Sequence, residues 1–223
     1  MTKSGQGETN RRSRRSSAAE QDGNEGKGQA IRERILDSAL DLFSRHGFDG
    51  VSLSAIAKHA QVAQPHPYYY FKDKASLWKA AISPPFEAVL QQIQVEDDLK
   101  DLNDHDRFRV RLRRIIHASI DNIAMMKIYL QESATPSARL DYIVDTYLKP
   151  IHASLEGEIH ALASKSGANP AFILAGVVGA IHFFFGTSDL LTRLHGLDVA
   201  DADTRRDYID FIVDQVLHAT SER

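Results

Sequence analysis

The sequence predicts an all-α protein made of a small N-terminal helical module and a larger C-terminal helical domain, with about nine helices. From residue 30 onward, apolar residues recur at spacings of three and four, the period of an amphipathic helix, and strand-like alternation is scarce. The 223 residues are 43% hydrophobic and 26% charged, which is ordinary for globular proteins. This length allows one small and one larger domain.

Several classes of protein are excluded by composition. The chain has no cysteine, which rules out disulfide scaffolds, thiolate metal sites and cysteine nucleophiles. No apolar run reaches the roughly 18 residues that cross a bilayer, and the nearest one, residues 171–186, is interrupted by His182. The sequence therefore predicts a soluble protein that makes no contact with a membrane.

The first 28 residues are predicted to form a disordered basic tail. Their only apolar residues are Met1, Ala18 and Ala19, so they cannot build a core. The run Arg11-Arg12-Ser13-Arg14-Arg15 lies within this tail. Two interpretations stay open for it, a solvated tail or an arm that lies on DNA phosphates or in a minor groove.

Residues 29–82 are predicted to form a helix-turn-helix domain. The first helix has an apolar face from Ile31 to Phe43 and ends at Gly47, since glycine adopts a left-handed backbone easily. Ser52 is a suitable N-cap for the second helix. A turn at residues 61–63 and a third short helix at residues 64–71 complete the domain.

Residues 83–223 are predicted to form the larger domain. A fourth helix begins near Asp73 and is stopped or sharply bent by Pro84-Pro85, because proline lacks the backbone donor that a helix interior needs. Lys149-Pro150 predicts a kink or a new helix start. Further helical patterns cover residues 86–95, 104–130, 137–165, 170–195 and 201–220.

One segment resembles the DNA-binding domain of the TetR/AcrR family, over residues 30–82. Its first part is Arg32-x-x-Ile35-Leu36-x-x-Ala39-x-x-Leu42-Phe43-x-x-x-Gly47-Phe48. Its second part is Val51-Ser52-Leu53-x-x-Ile56-Ala57-x-x-Ala60-x-Val62-x-Gln64-Pro65-x-x-Tyr68-x-Tyr70-Phe71-x-x-Lys74-x-x-Leu77. The resemblance implies a ligand-responsive regulator, a repressor that binds a palindromic operator as a dimer and is released by a small molecule. It also implies a bacterial cytoplasmic protein associated with the nucleoid.

The candidate DNA-binding residues follow from this resemblance and from their chemistry. Gln64 and His66 offer hydrogen bonds to base edges in the major groove. Tyr68 and Lys74 match positions that touch phosphates in the family, and phosphate contacts set register without reading sequence. The remaining candidates are Ser52, Ser54, Ala63, Pro65, Tyr69 and Lys72. A structural role stays open as the alternative, because Ser52 could act only as a helix cap.

Two positions depart from the family pattern. Pro67 stands where Leu, Phe or Val is usual, and Gln61 stands where a turn glycine is common. Pro67 removes a backbone donor and disfavours helical geometry at His66. The sequence therefore predicts a recognition helix that starts late or is distorted.

Charge is divided between the two parts of the chain. Lys and Arg minus Asp and Glu give 12 − 9 = +3 for residues 1–78 and 15 − 21 = −6 for residues 79–223, which together give the net −3. A basic region is what phosphate recognition requires. The basic part coincides with the predicted DNA-binding module, although +3 is modest.

The larger domain is predicted to bind a small effector and to form a homodimer, as the resemblance implies. Dimerisation is assigned to helices at residues 171–194 and 202–220, because the first is apolar nearly all round and needs a partner beyond its own core. Polar or soft residues within apolar stretches are the candidates for the effector site, although each is also compatible with a core or surface role. They are His117, Met125, Met126, Tyr129, Tyr147 and His182.

Two alternatives stand beside the regulator. A sequence-tolerant architectural DNA binder would show salt-dependent affinity without sequence preference. An all-helical enzyme would need a catalytic pattern, and the sequence has no His-Glu-x-x-His run, phosphate loop or Gly-x-Ser-x-Gly elbow. No catalytic residue, metal site or cofactor is predicted.

Overall fold

The computed structural model describes the backbone of residues 6–93 and 99–219 and the side chains of residues 26–93 and 99–218. Within these ranges the protein is helical and contains no β-strand, which confirms the all-α prediction. The helices are α1 Gln6–His46, α2 Leu53–His59, α3 His66–Tyr70, α4 Lys74–Ile93, α5 Asp104–Ile120, α6 Ile123–Ser133, α7 Ala138–Ile143, α8 Lys149–Ser166, α9 Pro170–Gly186, α10 Ser188–His195 and α11 Ala202–Ala219. A π-helical turn, Val144–Leu148, connects α7 to α8.

The chain divides into two compact units. Unit 1 comprises residues 1–42 and 48–81, and unit 2 comprises residues 43–47 and 82–223. The division falls within α4, beside the domain boundary that the sequence predicts at residue 82. Helix α4 therefore contributes residues to both units.

Unit 1 has a small core on which its helices are anchored. Ile35, Ile56 and Leu77 are fully buried, and Trp78 is nearly so. The Trp78 ring meets Phe48 edge-on, with 6.4 Å between ring centroids. Apolar faces at helical spacing thus hold α1, α2 and α4 in this unit.

Helix α2 begins and ends as its sequence predicts. The Ser52 hydroxyl accepts a hydrogen bond from the backbone N–H of Ala55 at 3.1 Å, which satisfies one of the free donors of the first turn. After the helix, Gln61 adopts a left-handed backbone with φ of 54°. Because a side chain disfavours that conformation, this is where related sequences place glycine.

The Gln61→Gly variant is expected to be more stable than the wild type by about 0.5–1 kcal/mol. Relief of the left-handed strain, about 1–2 kcal/mol, outweighs the greater freedom of glycine in the unfolded chain. Urea denaturation measures the difference. Gly47 has φ of 69° and supplies the matched control, because Gly47→Ala introduces the same strain and is expected to lower stability by about 1 kcal/mol. A Gln61→Gly protein no more stable than the wild type would contradict the assignment of strain.

Helix α1 begins at Gln6, earlier than the start near residue 30 that the sequence predicts, and the disordered tail over residues 1–28 stays a prediction. The physical reason is that low hydrophobicity excludes a core but not a helical backbone. Arg, Ala, Glu and Gln are good helix formers, and extending an anchored helix needs no new nucleus. The side chains of the Arg11–Arg15 run lie outside the described residues, so both interpretations of this run remain predictions.

Helix α4 continues through Pro84 and Pro85, which corrects the prediction that they stop or sharply bend it. The two prolines remove two backbone hydrogen-bond donors from the helix. The apolar residues after them nevertheless become buried when the helix continues. Phe86, Val89 and Ile93 are all buried on the same helix. Apolar burial beyond the prolines therefore keeps the chain helical where local propensity alone would end it.

Two predicted long helices are each divided in unit 2. The stretch at residues 104–130 breaks at Asn122, whose side-chain amide donates to the backbone oxygen of Ala118 at 2.9 Å. The stretch at residues 170–195 breaks at Thr187, whose hydroxyl donates to the backbone oxygen of Phe183 at 2.5 Å. In both places a polar side chain donates to a backbone carbonyl of the last turn, and at Phe183 it does so beside the backbone N–H of Thr187. Helix α8 begins at Lys149, as the Lys149-Pro150 pair predicts.

The core of unit 2 contains a buried ion pair. Arg111 of α5 and Glu158 of α8 are 5% and 7% exposed, and 3.0 Å separates Nη1 from Oε1. The same Nη1 donates to the backbone oxygen of Ser154 at 2.7 Å. Arg111 is therefore a buried residue between α5 and α8, although arginine is rarely buried.

Helix α11 packs most of its apolar arc inside unit 2. Ile209, Ile212, Val213 and Leu217 are buried, and the Tyr208 hydroxyl donates to the backbone oxygen of Ala180 at 2.9 Å. Among the residues that the structure describes, no single helix is long and apolar enough to span a membrane. One pair meets the length and composition test together, Ala138–Ser166 with Pro170–Gly186, and it is bent by 110°.

Candidate nucleic-acid interface and ligand cavity

The surface around α3 is the candidate nucleic-acid interface, and it presents two large aromatic side chains to solvent. Tyr68 is 60% exposed and Tyr69 is 81% exposed. Gln64 and Pro65, before the helix, and Lys72, after it, are also exposed. Because these two tyrosines are exposed on a helix of only five residues, they contribute little to a hydrophobic core. This surface is therefore suited to contact with another molecule.

Pro67 does not distort α3. The helix begins at His66 after Pro65, so Pro67 falls in the first turn, where a missing backbone donor costs little. The backbone N–H of Tyr69 donates to Pro65 oxygen at 3.0 Å, and that of Phe71 donates to Pro67 oxygen at 2.9 Å. The predicted late start is confirmed, since the helix begins two residues after Gln64, and the predicted distortion is absent from these hydrogen bonds.

The turn is connected to α2 through side chains. Gln64 lies before α3 rather than in it, and its amide nitrogen donates to the Ser54 hydroxyl at 3.0 Å. Ser52 is committed to its cap, as described above. Ser54 and Gln64 therefore lie together at the edge of the α3 surface, with the Gln64 side chain held in one orientation.

Two candidate contacts are partly engaged within unit 1. The Nδ1 atom of His66 is buried and has no hydrogen-bond partner among the described residues, and its ring packs against Tyr70 with 6.4 Å between centroids. The ammonium of Lys74 lies 4.3 Å from the centroid of the Phe48 ring. Lys74 is half-buried, and the cation–π contact holds its ammonium group against the Phe48 ring.

Asp73 places one negative charge beside this surface. Its carboxylate caps α4 by accepting from the backbone N–H of Ser76 at 2.7 Å. That hydrogen bond holds the pKa of Asp73 below its ordinary value, so the group is ionised at neutral pH. Lys72 and Lys74 flank it and offset its charge.

Unit 2 contains an apolar cavity of about 90 Å³. Five helices contribute to its wall, α4, α5, α6, α8 and α9. The apolar part of the wall includes Phe86, Val89, Phe108, Leu112 and Ile181. Ser119, Tyr129, His152 and His182 are its polar members, a composition typical of small-molecule sites.

A wider cleft of about 550 Å³ lies between α8 and α9. Several of its wall residues are exposed to solvent, among them His152, Glu156 and His160 on α8. The cleft and the cavity have four wall residues in common, Tyr129, His152, Leu174 and Val178. The two spaces therefore adjoin, and the polar side chains of His152, Glu156 and His160 lie at the open end.

The six predicted effector residues divide into two groups. Met125, Tyr129 and His182 line the cavity. His117 is exposed on α5, Met126 is buried outside the cavity wall, and Tyr147 is buried with its hydroxyl 2.7 Å from that of Ser83. Sequence reasoning missed the apolar wall, because its residues carry the same pattern as any core. It also missed His152, Glu156 and His160, whose spacing of four was a usable signal.

His182 is a half-buried polar residue of the cavity wall. Its Nδ1 lies 2.8 Å from the backbone oxygen of Val178, and its ring lies 4.4 Å from the ring of Tyr129. Burial lowers the pKa of His182, and the Val178 hydrogen bond opposes that effect only partly. The imidazole is therefore neutral at pH 7, with Nδ1–H as donor and Nε2 as an acceptor.

Comparison with known families gives two matches that agree with this division. Residues 35–81 match the family described as bacterial regulatory proteins, tetR family. Residues 105–221, more than half of the chain, match the C-terminal domain of the HTH-type transcriptional dual regulator CecR. Both descriptions are of transcriptional regulators.

Curated relatives of this chain are also described as transcriptional regulators, and each matches only part of the chain. The negative transcriptional regulator IcaR of the biofilm operon icaADBC, from Staphylococcus epidermidis, is 24% identical over 132 residues, 58% of this chain and 67% of the relative. YttP of Bacillus subtilis, a transcriptional regulator by its description, is 25% identical over 120 residues, 53% of this chain and 58% of the relative. IcaR of Staphylococcus aureus strain Newman is 33% identical over 57 residues, 26% of this chain and 31% of the relative.

Solved structures share the fold over nearly their whole length. A bacterial regulatory protein in the tetR family from Rhodococcus RHA1 has a TM-score of 0.67 at 17% identity, covering 86% of this chain and 98% of its own. The transcriptional regulator FadR from Bacillus subtilis, in complex with stearoyl-CoA, has a TM-score of 0.58 at 17% identity, covering 81% and 97%. At this identity the likeness concerns the fold alone.

Proposed function

This chain belongs to the TetR family of bacterial transcriptional regulators, and from that premise we propose that it is a ligand-responsive repressor. It binds a palindromic operator in the cytoplasm as a dimer, and a small molecule in unit 2 releases it. The observation that supports this most directly is the pair of exposed tyrosines on α3. The turn before this helix carries Gln64, whose amide is hydrogen-bonded to Ser54. Description of the IcaR relatives as negative regulators supports repression.

DNA recognition is proposed to divide between base readout and phosphate contact. Gln64 presents an amide that can pair with adenine once it leaves Ser54. Tyr68 donates its hydroxyl to a phosphate, and Lys72 adds charge at the rim. His66 contributes only after its ring moves, because Nδ1 is buried. Ser52, Ser54, Ala63, Pro65, Tyr69 and Lys74 complete the proposed surface.

Ligand response is proposed to act through α4. Phe86 and Val89 of this helix line the cavity, while Leu77 and Trp78 of the same helix lie in the core of unit 1. The cavity, at about 90 Å³, is smaller than ligand sites of roughly 300–1,000 Å³. A ligand must therefore displace wall residues, and it shifts the equilibrium only to the extent that it prefers the expanded state. The stearoyl-CoA complex of FadR supports a small-molecule site in this fold.

The two modes of DNA contact are distinguished by the Gln64→Ala and Tyr68→Phe variants. Duplexes selected from a random pool by the wild-type protein serve as the DNA. Tyr68→Phe is expected to weaken binding to every duplex by about threefold to tenfold, the loss of one hydrogen bond. Gln64→Ala is expected to lose preference at one base pair of each half-site by at least about fivefold. Fluorescence anisotropy measures both affinities.

Gln91→Ala, which removes an exposed glutamine on α4 outside the α3 surface, is the matched control. This variant is expected to retain the base preference of the wild type. If Gln64→Ala leaves the preference unchanged, base readout by this residue is wrong. Should selection return no preferred sequence while affinity still falls steeply with salt, the architectural alternative would be favoured.

A further inference from the structure

The cleft and the cavity together define a largely apolar space whose open end carries a few polar side chains. Glu156 and His160 lie at the mouth, with His160 Nε2 3.8 Å from Glu156 Oε1. Leu174 and Val178 belong to both walls, and Phe108 lies deeper, in the cavity wall only. A ligand that occupies both spaces must therefore be amphipathic, with its head group at the mouth.

Charge at the mouth decides which head group fits. Glu156 is the one formally charged side chain in the two walls over the part of the chain that the structure describes, and neither wall there includes a lysine or arginine. Counted over Asp, Glu, Lys and Arg, the walls carry a formal charge of −1. An anionic head group would meet this carboxylate without a compensating cation, whereas a cationic one would pair with it.

The interior disfavours an anionic group that enters the cavity. Neutral His182 presents an acceptor at Nε2, because its Nδ1–H is engaged with Val178. An acceptor in an apolar site is satisfied by a donor and is left unpaired by a carboxylate or phosphate. Glu156 at the mouth and His182 within both accept hydrogen bonds, while the hydroxyls of Ser119 and Tyr129 in the cavity wall can donate or accept.

We propose that the effector is an amphipathic molecule with an apolar body and a cationic head group of the ammonium or amine class. The head group pairs with Glu156 at the mouth of the cleft, and the body passes Leu174 and Val178 to enter the apolar cavity. Carboxylate and phosphate head groups are poor ligands of this site. This inference rests on the proposed function for the existence of an effector, and it adds the chemistry by which the effector is recognised.

A matched series of decyl probes tests the head group. Decylamine, decanol, decanoate and decanoyl-coenzyme A are titrated into the full-length protein at pH 8, where an ordinary imidazole is neutral and an alkylamine is charged. Isothermal titration calorimetry measures each affinity. We expect decylamine to bind about tenfold more tightly than decanoate. The Glu156 carboxylate attracts the ammonium group and repels the carboxylate group, and solvent partly screens both interactions.

Variants of Glu156 test whether this carboxylate causes the preference for a cationic head group. Glu156 is exposed, so its substitution leaves the core intact. Glu156→Gln is expected to bring decylamine to within about twofold of decanol, and Glu156→Lys to make decanoate the tighter ligand. Asp141→Asn, an exposed carboxylate on α7 outside both walls, is the matched control and should keep the wild-type order. Leu174→Trp is expected to abolish decylamine binding by filling the passage.

Each outcome separates this inference from the proposed function. If decanoate or decanoyl-coenzyme A binds as tightly as decylamine, or if no probe binds, the inference is overturned. If those anionic probes release selected DNA and decylamine does not, the inference fails while the ligand-responsive regulator stands. If decylamine binds with the expected dependence on Glu156 and leaves DNA affinity unchanged, the site is as inferred and the proposed ligand response is wrong.

Discussion

The Glu158→Ala variant is expected to lose about 3–5 kcal/mol of stability, because it leaves the Arg111 guanidinium buried without its carboxylate. Arg111 and Glu158 lie beside a cleft of about 530 Å³, but their side chains are only 5% and 7% exposed, so water replaces the lost carboxylate only in part. The hydrogen bond from Arg111 to Ser154 oxygen remains, but a carbonyl dipole does not neutralise a full charge. Urea denaturation followed by far-ultraviolet circular dichroism measures the loss.

A second ion pair shows that burial, rather than contact length, decides the effect. Lys149 and Asp145 are separated by 2.6 Å, closer than Arg111 and Glu158, but their side chains are 70% and 63% exposed. Asp145→Ala is therefore expected to leave the unfolding midpoint unchanged within error. The double variant Arg111→Met with Glu158→Leu is expected to recover most of the stability that Glu158→Ala loses, since an apolar pair needs no charge compensation. Equal effects of Glu158→Ala and Asp145→Ala would contradict the burial argument.

The DNA-binding unit could be predicted closely because its features are local. The Ser52 cap and the positive φ of Gly47 depend on a few neighbouring residues, and residue type alone indicates them. The α3 surface followed from an ordered pattern of residues at fixed spacing. What the sequence could not show was the hydrogen bond between Gln64 and Ser54, which depends on the turn geometry that Gln61 creates.

Prediction failed where distant packing overrides local preference. Pro84 and Pro85 lie inside α4 because Phe86 and Val89 gain burial beyond them, and proline alone gives no sign of that gain. The residues lining the cavity were missed for a related reason. Phe108 and Leu112 have core periodicity, and only the assembled helices show that a space remains beside them. Whether a core residue faces a neighbour or a cavity is a property of the whole unit.

The surface proposed for dimerisation includes a stripe of exposed residues along α9. This stripe lies within one helix, so the division of residues 170–195 into two helices does not interrupt it. Phe172, Gly176, Gly179 and Phe183 are exposed on α9 at spacings of four, three and four, so they form one stripe along the helix. Phe172 is 74% exposed and Phe183 is 57% exposed, which is unusual for side chains of this size. The two glycines between them would let a helix of a second copy approach closely. On α11, Phe211 is the comparable residue, at 56% exposed.

Gly179→Leu is expected to separate the dimer while leaving each protomer folded. A Cβ at Gly179 meets no atom of the described residues within 4 Å, so the new side chain has room in the protomer, and leucine is the better helix former. Across a close helix pair the same side chain clashes, and a monomer that binds one half-site loses about a hundredfold in operator affinity. Analytical ultracentrifugation and anisotropy on selected DNA measure the two effects. Gly157→Leu on α8, an equally open glycine outside the stripe, should preserve both dimer and affinity. A Gly179→Leu protein that remains dimeric would place the interface elsewhere.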